Sequence, residues 1–224
     1  MEKEIFLAGF PGHDNQEDAA RLITNPQHFL DQIEPRMVRL PGEVPDIIRQ
    51  IHRYLHSVLE GDGQRPDCPF VKKIEELNGY YIKTIAGTPS LEVLKTNIVP
   101  RLIEEFFSYS PCATRADQDL DPTSLVLAFS DPLANTEDYC ANTLDGTRDV
   151  SRLAFLEEGL MVSQMHPFHP RAQGRKGQDV SGKYQAGVPL LVVRRMHKPD
   201  HVFMRTDDER AAYQKFFGKL LSSE

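Results

Sequence analysis

From Asp46 onward the apolar side chains recur at helical spacing. Ile47, Ile48, Ile51, Leu55, Val58 and Leu59 share one face, Asp46 favours the positive N-terminal end, and Gly61-Asp62-Gly63 supplies a stop. Beyond a proline-constrained loop the pattern changes period repeatedly. Short apolar runs predict strands at 79–85, 124–129, 160–165 and 189–196, and helical spacing predicts helices at 90–109, 148–158 and 207–221. In the last helix Ala211, Phe216, Phe217, Leu220 and Leu221 should form the apolar side, while Pro100 should kink or split the helix that contains it. Strands carrying helices between them predict an α+β fold, with one mixed, mainly antiparallel sheet covered by helices.

Residues 1–45 do not fit this alternation. Pro11, Gly12, Pro26, Pro35, Pro41, Gly42 and Pro45 interrupt them, so they are expected to form a proline-rich N-terminal arm wrapping the core or a partner, and a homodimer is one arrangement this would allow. Residues 46–224 are expected to be a single α+β domain. With 26 Lys plus Arg against 33 Asp plus Glu, the net charge is −7, and no basic stripe is present to follow a phosphate backbone. No nucleic-acid partner is expected. Nor is a membrane, since no run of about 18 apolar residues occurs. Three well-separated cysteines, Cys68, Cys112 and Cys140, argue against a disulfide framework and for a reducing cytoplasm.

The chemistry-bearing residues cluster at strand ends and in loops. The run 159–165 stops in two His-Pro pairs, His166-Pro167 and His169-Pro170, which should hold both imidazoles on a stiff exit segment. In extended chain the two rings would point to different sides unless the backbone bends at Pro167. Imidazole is a ligand for iron and zinc and the usual acid or base near neutrality, and His166 is the better placed because it ends the strand. The alternative is a hydrogen-bonded histidine without chemistry. Cys68, between Asp67 and Pro69, could ligate a metal or act as a nucleophile, although a free cysteine is more often a small buried hydrophobe.

Arg194 and Arg195 should face opposite sides of their strand, and an inward arginine could clamp a carboxylate or propionate. Their bland role is to guard an edge strand. Asp131, at a strand end, reads mainly as a turn former. His52 and His56 share a helical face but lack the glutamate of a zinc protease helix, and His197 and His201 flank a turn. The polar loop 171–187 has glycines at 174, 177, 182 and 187 and reads either as a lid over His166 or as disorder. There is no GxGxxG, no GxxxxGK[ST] and no GxSxG, so dinucleotide enzymes, P-loop nucleotidases and ordinary serine hydrolases recede.

Three blocks together, Cys68-Pro69-Phe70, Gly159-Leu160-Met161 leading to Gln164-Met165-His166-Pro167, and Val188-Pro189-Leu190-Leu191 through Met196, resemble an uncharacterised bacterial family found among secondary-metabolite biosynthesis genes. More distantly, their order resembles the YqcI/YcgG-like proteins, some of which are haem-dependent oxygenases acting on amino-acid nitrogen. That family's tryptophans have no counterpart, since the chain contains none. The resemblance implies a biosynthetic oxidoreductase using haem on a small amine or amino-acid-like substrate. His166 would be the metal ligand, and His169, Cys68 and Arg194 would be cofactor-binding residues. A non-catalytic binding module and a metal-free enzyme of the same pathway are the alternatives.

Overall fold

The computed structural model describes residues 47, 49–51, 53, 54, 80–85, 87–110, 123–169 and 185–218. The arm, Cys68, His52, His56 and residues 170–184 of the polar loop lie outside the described residues, and the expectations for them stand as sequence readings. Where the first helix was expected, the described positions are helical, with Ile47, Ile51 and Tyr54 buried.

The sheet contains β1 (Tyr80–Ile85), β2 (Ser124–Phe129), β3 (Leu160–Met165) and β4 (Leu190–Arg195), in the order β1-β2-β4-β3. β1 runs parallel to β2, while β4 is antiparallel to both β2 and β3. The sheet is therefore mixed and mainly antiparallel, as the alternation of periods implied. All six residues of β2 are buried, which requires cover on both faces.

Strand alternation assigns one face to Ile85, Leu125, Leu127, Phe129, Leu160, Val162, Leu191 and Val193, and all of them join one core cluster. Helices cover this face. The first runs from α1 (Leu91–Val93) through a π turn at Leu94–Ile98 into α2 (Val99–Tyr109), placing Leu94, Leu102 and Phe106 in the core. Pro100 neither ends nor splits it. A proline lacks the amide hydrogen that an α-helix needs, and the irregularity takes the form of the wider turn immediately before it.

The second covering helix begins earlier than the sequence pattern suggested. Thr136 caps α3 (Glu137–Tyr139), a π turn at Cys140–Leu144 comes next, and α4 (Asp145–Glu157) continues without a break. Gly146 lies inside this helix and disguises it as a loop. A Cβ there would come within 3.3 Å of the Leu91 side chain, so the glycine permits the close approach of the two covering helices.

Gly159, at φ 73°, then reverses the chain into β3. Beyond β4, a short 3-10 helix at Lys198–Phe203 leads to α5 (Asp207–Phe217), which ends at Gly218 with φ 74°. In α5 the buried positions are Ala212 and Tyr213, with Phe216 and Phe217 packed beside them, whereas Ala211 is exposed. Phe216 and Phe217 thus lie on the apolar side as expected, and Ala212 and Tyr213 rather than Ala211 complete it. α5 is tied to α4 by Arg152, which donates to Glu209 at 2.8 Å and to the carbonyl of Phe203 at 2.8 Å.

Lys83 and Arg195 are charged residues on the main core face. Lys83, on β1, is 3% exposed and is held by both carboxylate oxygens of Glu105 on α2, at 2.5 and 2.7 Å. Removing one member of such a pair is worse than removing the buried charge itself, because the remaining ion keeps its desolvation penalty. Glu105→Gln should therefore lower stability by about 1–3 kcal/mol, and Lys83→Met should cost less, as read by denaturant unfolding. Gly159→Ala should cost about 1–2 kcal/mol, the strain of a side chain in the left-handed region, with the transition remaining cooperative.

Candidate active site

The geometry of α4 and β3 brings together residues far apart in sequence. A 13-residue helix rising about 1.5 Å per residue is about 20 Å long, and a six-residue strand rising about 3.3 Å per residue is about as long. Because Gly159 folds one back along the other, the start of α4 arrives at the exit of β3. Those two points are Asp145 and His166. Nε2 of His166 lies 3.1 Å from Oδ1 of Asp145, and the ring is 1% exposed.

His169 joins this pair through a bend that the His-Pro spacing left open. Its amide donates to the carbonyl of His166 at 3.1 Å, closing a tight turn around Pro167 and Phe168. The two rings, expected on different sides of extended chain, thus approach to 5.3 Å between centroids. Gln164, two residues before His166 on the same face of β3, is 3% exposed, and its amide nitrogen lies 3.4 Å from Nε2 of His169.

Asp145 is held as a carboxylate. Burial opposes its ionisation, but the hydrogen bond and charge of His166, then the Gln164 amide and the Arg148 guanidinium, outweigh burial and bring its pKa below the ordinary 3.8. An ionised carboxylate accepts only, so Asp145 takes the Nε2 hydrogen of His166. That leaves Nδ1 as the other ring nitrogen, and it is buried without any hydrogen-bond partner. An unsatisfied buried polar atom forfeits about 1–3 kcal/mol, and in a native fold such an atom points to a task other than stability.

The other buried polar groups contrast with it. Arg194 does not reach this site: it pairs with Met161 in the sheet register, five residues before His166, which separates them by about 17 Å of strand. Its fork holds the Asp200 carboxylate, at 2.7 and 2.8 Å, one of the two partners its sequence position allowed. Asp200 also accepts the His197 amide at 2.7 Å, so His197 caps the 3-10 helix, and His201 is exposed. Arg195, on the opposite face as alternation required, lies over the Phe107 ring at 4.7 Å and donates to Ser110. Asp131 caps its own short helix through the Leu133 amide, a turn-forming role. Ser151 Oγ is the other buried unpaired atom among the described residues, but it is a neutral hydroxyl inside α4 with no charged group shown beside it.

Cys140, in the π turn before Asp145, is no substitute for Cys68 as a nucleophile. Burial, reinforced by the nearby Asp145 carboxylate, pushes its thiol up to about 12, and it stays protonated near neutrality. Burial likewise raises the Tyr139 phenol, which donates to the carbonyl of Pro89 at 2.9 Å. Among the described residues, no group of three or more His, Cys, Asp or Glu is arranged to hold a metal ion, and no helix is long and apolar enough to cross a membrane.

The fold and this cluster define an α+β protein in which a buried histidine at the exit of β3 pairs with a half-buried aspartate. The chain belongs to the family described as domain of unknown function (DUF6875), whose model matches residues 46–224. No curated protein and no solved structure matches it.

Sequence reasoning missed Asp145 and Gln164. The signal for Asp145 was present in the Thr136-Glu137 cap and in the length match of helix and strand, but Gly146 concealed the helix. Because folding lowers the pKa of Asp145, its contribution to stability is complete above the unfolded value near 3.8 and is lost as pH falls through the folded value. Asp145→Asn should remove this contribution and flatten the acid limb of a stability-against-pH curve below pH about 4, as measured by urea unfolding at each pH.

Proposed function

We propose that this protein is a biosynthetic enzyme, acting in the cytoplasm on a small amine or amino-acid-like substrate, with His166 as its working group. The observation that carries the reading is the half-paired imidazole: Nε2 is bound to an ionised carboxylate and Nδ1 is buried with no partner. Asp145 orients the ring and selects the tautomer that leaves a lone pair on Nδ1. When Nδ1 takes a proton, the imidazolium that forms lies beside a negative charge already in place. This is the arrangement a general base needs, because the ring neither reorients nor loses its compensating charge during proton transfer.

The resemblance to haem-dependent oxygenases extends the reading to a cofactor, and the residues present could supply one imidazole ligand. Metal-binding histidines commonly donate their second ring nitrogen to a carboxylate, which raises ligand basicity, and His166 does so to Asp145. His166 would hold the iron through Nδ1, with His169 beside it. A bound haem would supply the activation of dioxygen needed to oxidise a substrate nitrogen. The chain's own part would be to fix the ligand ring, keep Asp145 ionised and close the surroundings to bulk water.

Titration of the purified full chain with hemin, followed by Soret absorbance, separates the readings. Under the haem reading, the wild type binds and His166→Ala binds about 10-fold or more weakly. Equal binding by the two proteins would remove His166 as the ligand. If the wild type does not bind hemin, the metal-free reading requires that His166→Gln lower turnover by about 10²–10⁴-fold on whichever amine a substrate screen identifies. Full turnover in that variant would sink the proposal, and no turnover by the wild type on any amine screened would favour a non-catalytic binding module.

A further inference from the structure

We infer that Gln164 is a positioning residue that sets the hydrogen-bonding state of His169 and, by doing so, leaves Nδ1 of His166 as the acceptor available in the pair. The inference rests on His166 being the working group and extends that reading to the second imidazole. Gln164 is buried on β3, and its amide nitrogen lies 3.4 Å from Nε2 of His169. The same amide helps to hold Asp145 ionised.

An amide nitrogen carries hydrogens and accepts nothing, so toward His169 it can only donate. The ring nitrogen facing it must then be an acceptor. Neutral His169 accordingly carries its hydrogen on Nδ1 and gives the Nε2 lone pair to Gln164. In His166 the constraint runs the other way, because the carboxylate of Asp145 accepts only and the ring must present Nε2–H.

One carboxylate and one amide thus impose opposite tautomers on two rings 5.3 Å apart. Of the four ring nitrogens, Nε2 of His166 is committed to Asp145, Nε2 of His169 is committed to Gln164, and Nδ1 of His169 carries a hydrogen. Nδ1 of His166 remains as the lone pair not engaged by this network. A ligand or proton arriving between the rings therefore meets one acceptor rather than two competing ones. The same side chain reinforces Asp145 in the state that holds His166, so a single residue supports both halves of the arrangement.

Long-range ¹H–¹⁵N spectra of histidine-labelled protein read these tautomers directly and need no substrate or cofactor. The eight histidines can be assigned from the spectra of His166→Gln and His169→Gln. At a pH where both rings are neutral, wild-type His169 should show the Nδ1–H pattern and His166 the Nε2–H pattern. Gln164→Met keeps the length and removes both donors. In it, the Nδ1–H population of His169 should fall, while His166 keeps its pattern because Asp145 still accepts. An Nε2–H pattern for His169 in the wild type, or an unchanged pattern in a Gln164→Met protein that melts like wild type, would overturn the inference. Should that variant not fold, the wild-type assignment alone decides. The result is separable from the function of His166, since the tautomers can be as stated even where hemin and substrate tests on His166 fail.

Discussion

The reversal at Gly159 is the constraint on which the arrangement depends. It turns α4 back along β3, and the equal lengths of the two elements align the start of the helix with the exit of the strand. Leu144 and Phe155 on the helix side then meet Leu160 and Val162 on the strand side, closing the main core at the sheet's β3 edge. The same alignment delivers Asp145 to His166. Packing and chemistry here share one cause, because a change in the length or phase of either element would disturb both the core contacts and the ion pair.

The π turn at Cys140–Leu144 belongs to this alignment. A wide turn places one extra residue in the helix and rotates the downstream turns relative to the upstream ones. Its first and last residues, Cys140 and Leu144, are buried in the core; immediately downstream stands Asp145, with its carboxylate directed at His166. The other long helix carries a similar turn before Pro100, where the missing amide hydrogen explains it. No proline lies in the second turn, so its position next to the carboxylate is the more informative of the two.

Much of the fold was legible because strands announce themselves by short apolar runs and glycine stops. The run 124–129 and the run 160–165 coincide with β2 and β3, and the opposite placement of Arg194 and Arg195 comes from alternation alone. The illegible features depended on contacts between elements. Gly146 reads as a helix breaker until Leu91 is seen packed against it, and Ala211 reads as core until the packing of α5 turns Ala212 inward. At the site, His166 was readable from its position at the strand exit. Its partner was not, because Asp145 lies 21 residues away on a helix whose first turns the glycine concealed. The approach of His169 needed a backbone bend that spacing allows but does not dictate.

Three ion pairs among the described residues show what an arrangement built for stability looks like. Lys83 meets both oxygens of Glu105, Arg194 forks onto Asp200, and Arg152 joins Glu209 while also capping a carbonyl. Each offsets its desolvation with an opposite charge or several hydrogen bonds, which is the condition under which burying an ion is tolerable. His166 obeys that rule at one nitrogen and breaks it at the other. Were the ring merely structural, a neighbour supplying a donor to Nδ1 would recover the missing hydrogen bond, and a strand exit beside amide-bearing side chains offers room for one. Instead the adjacent amide nitrogen of Gln164 lies against His169. Among the described residues His166 thus forgoes a hydrogen bond at Nδ1 while its Nε2 is held by Asp145, the contrast on which the proposed role of the ring rests.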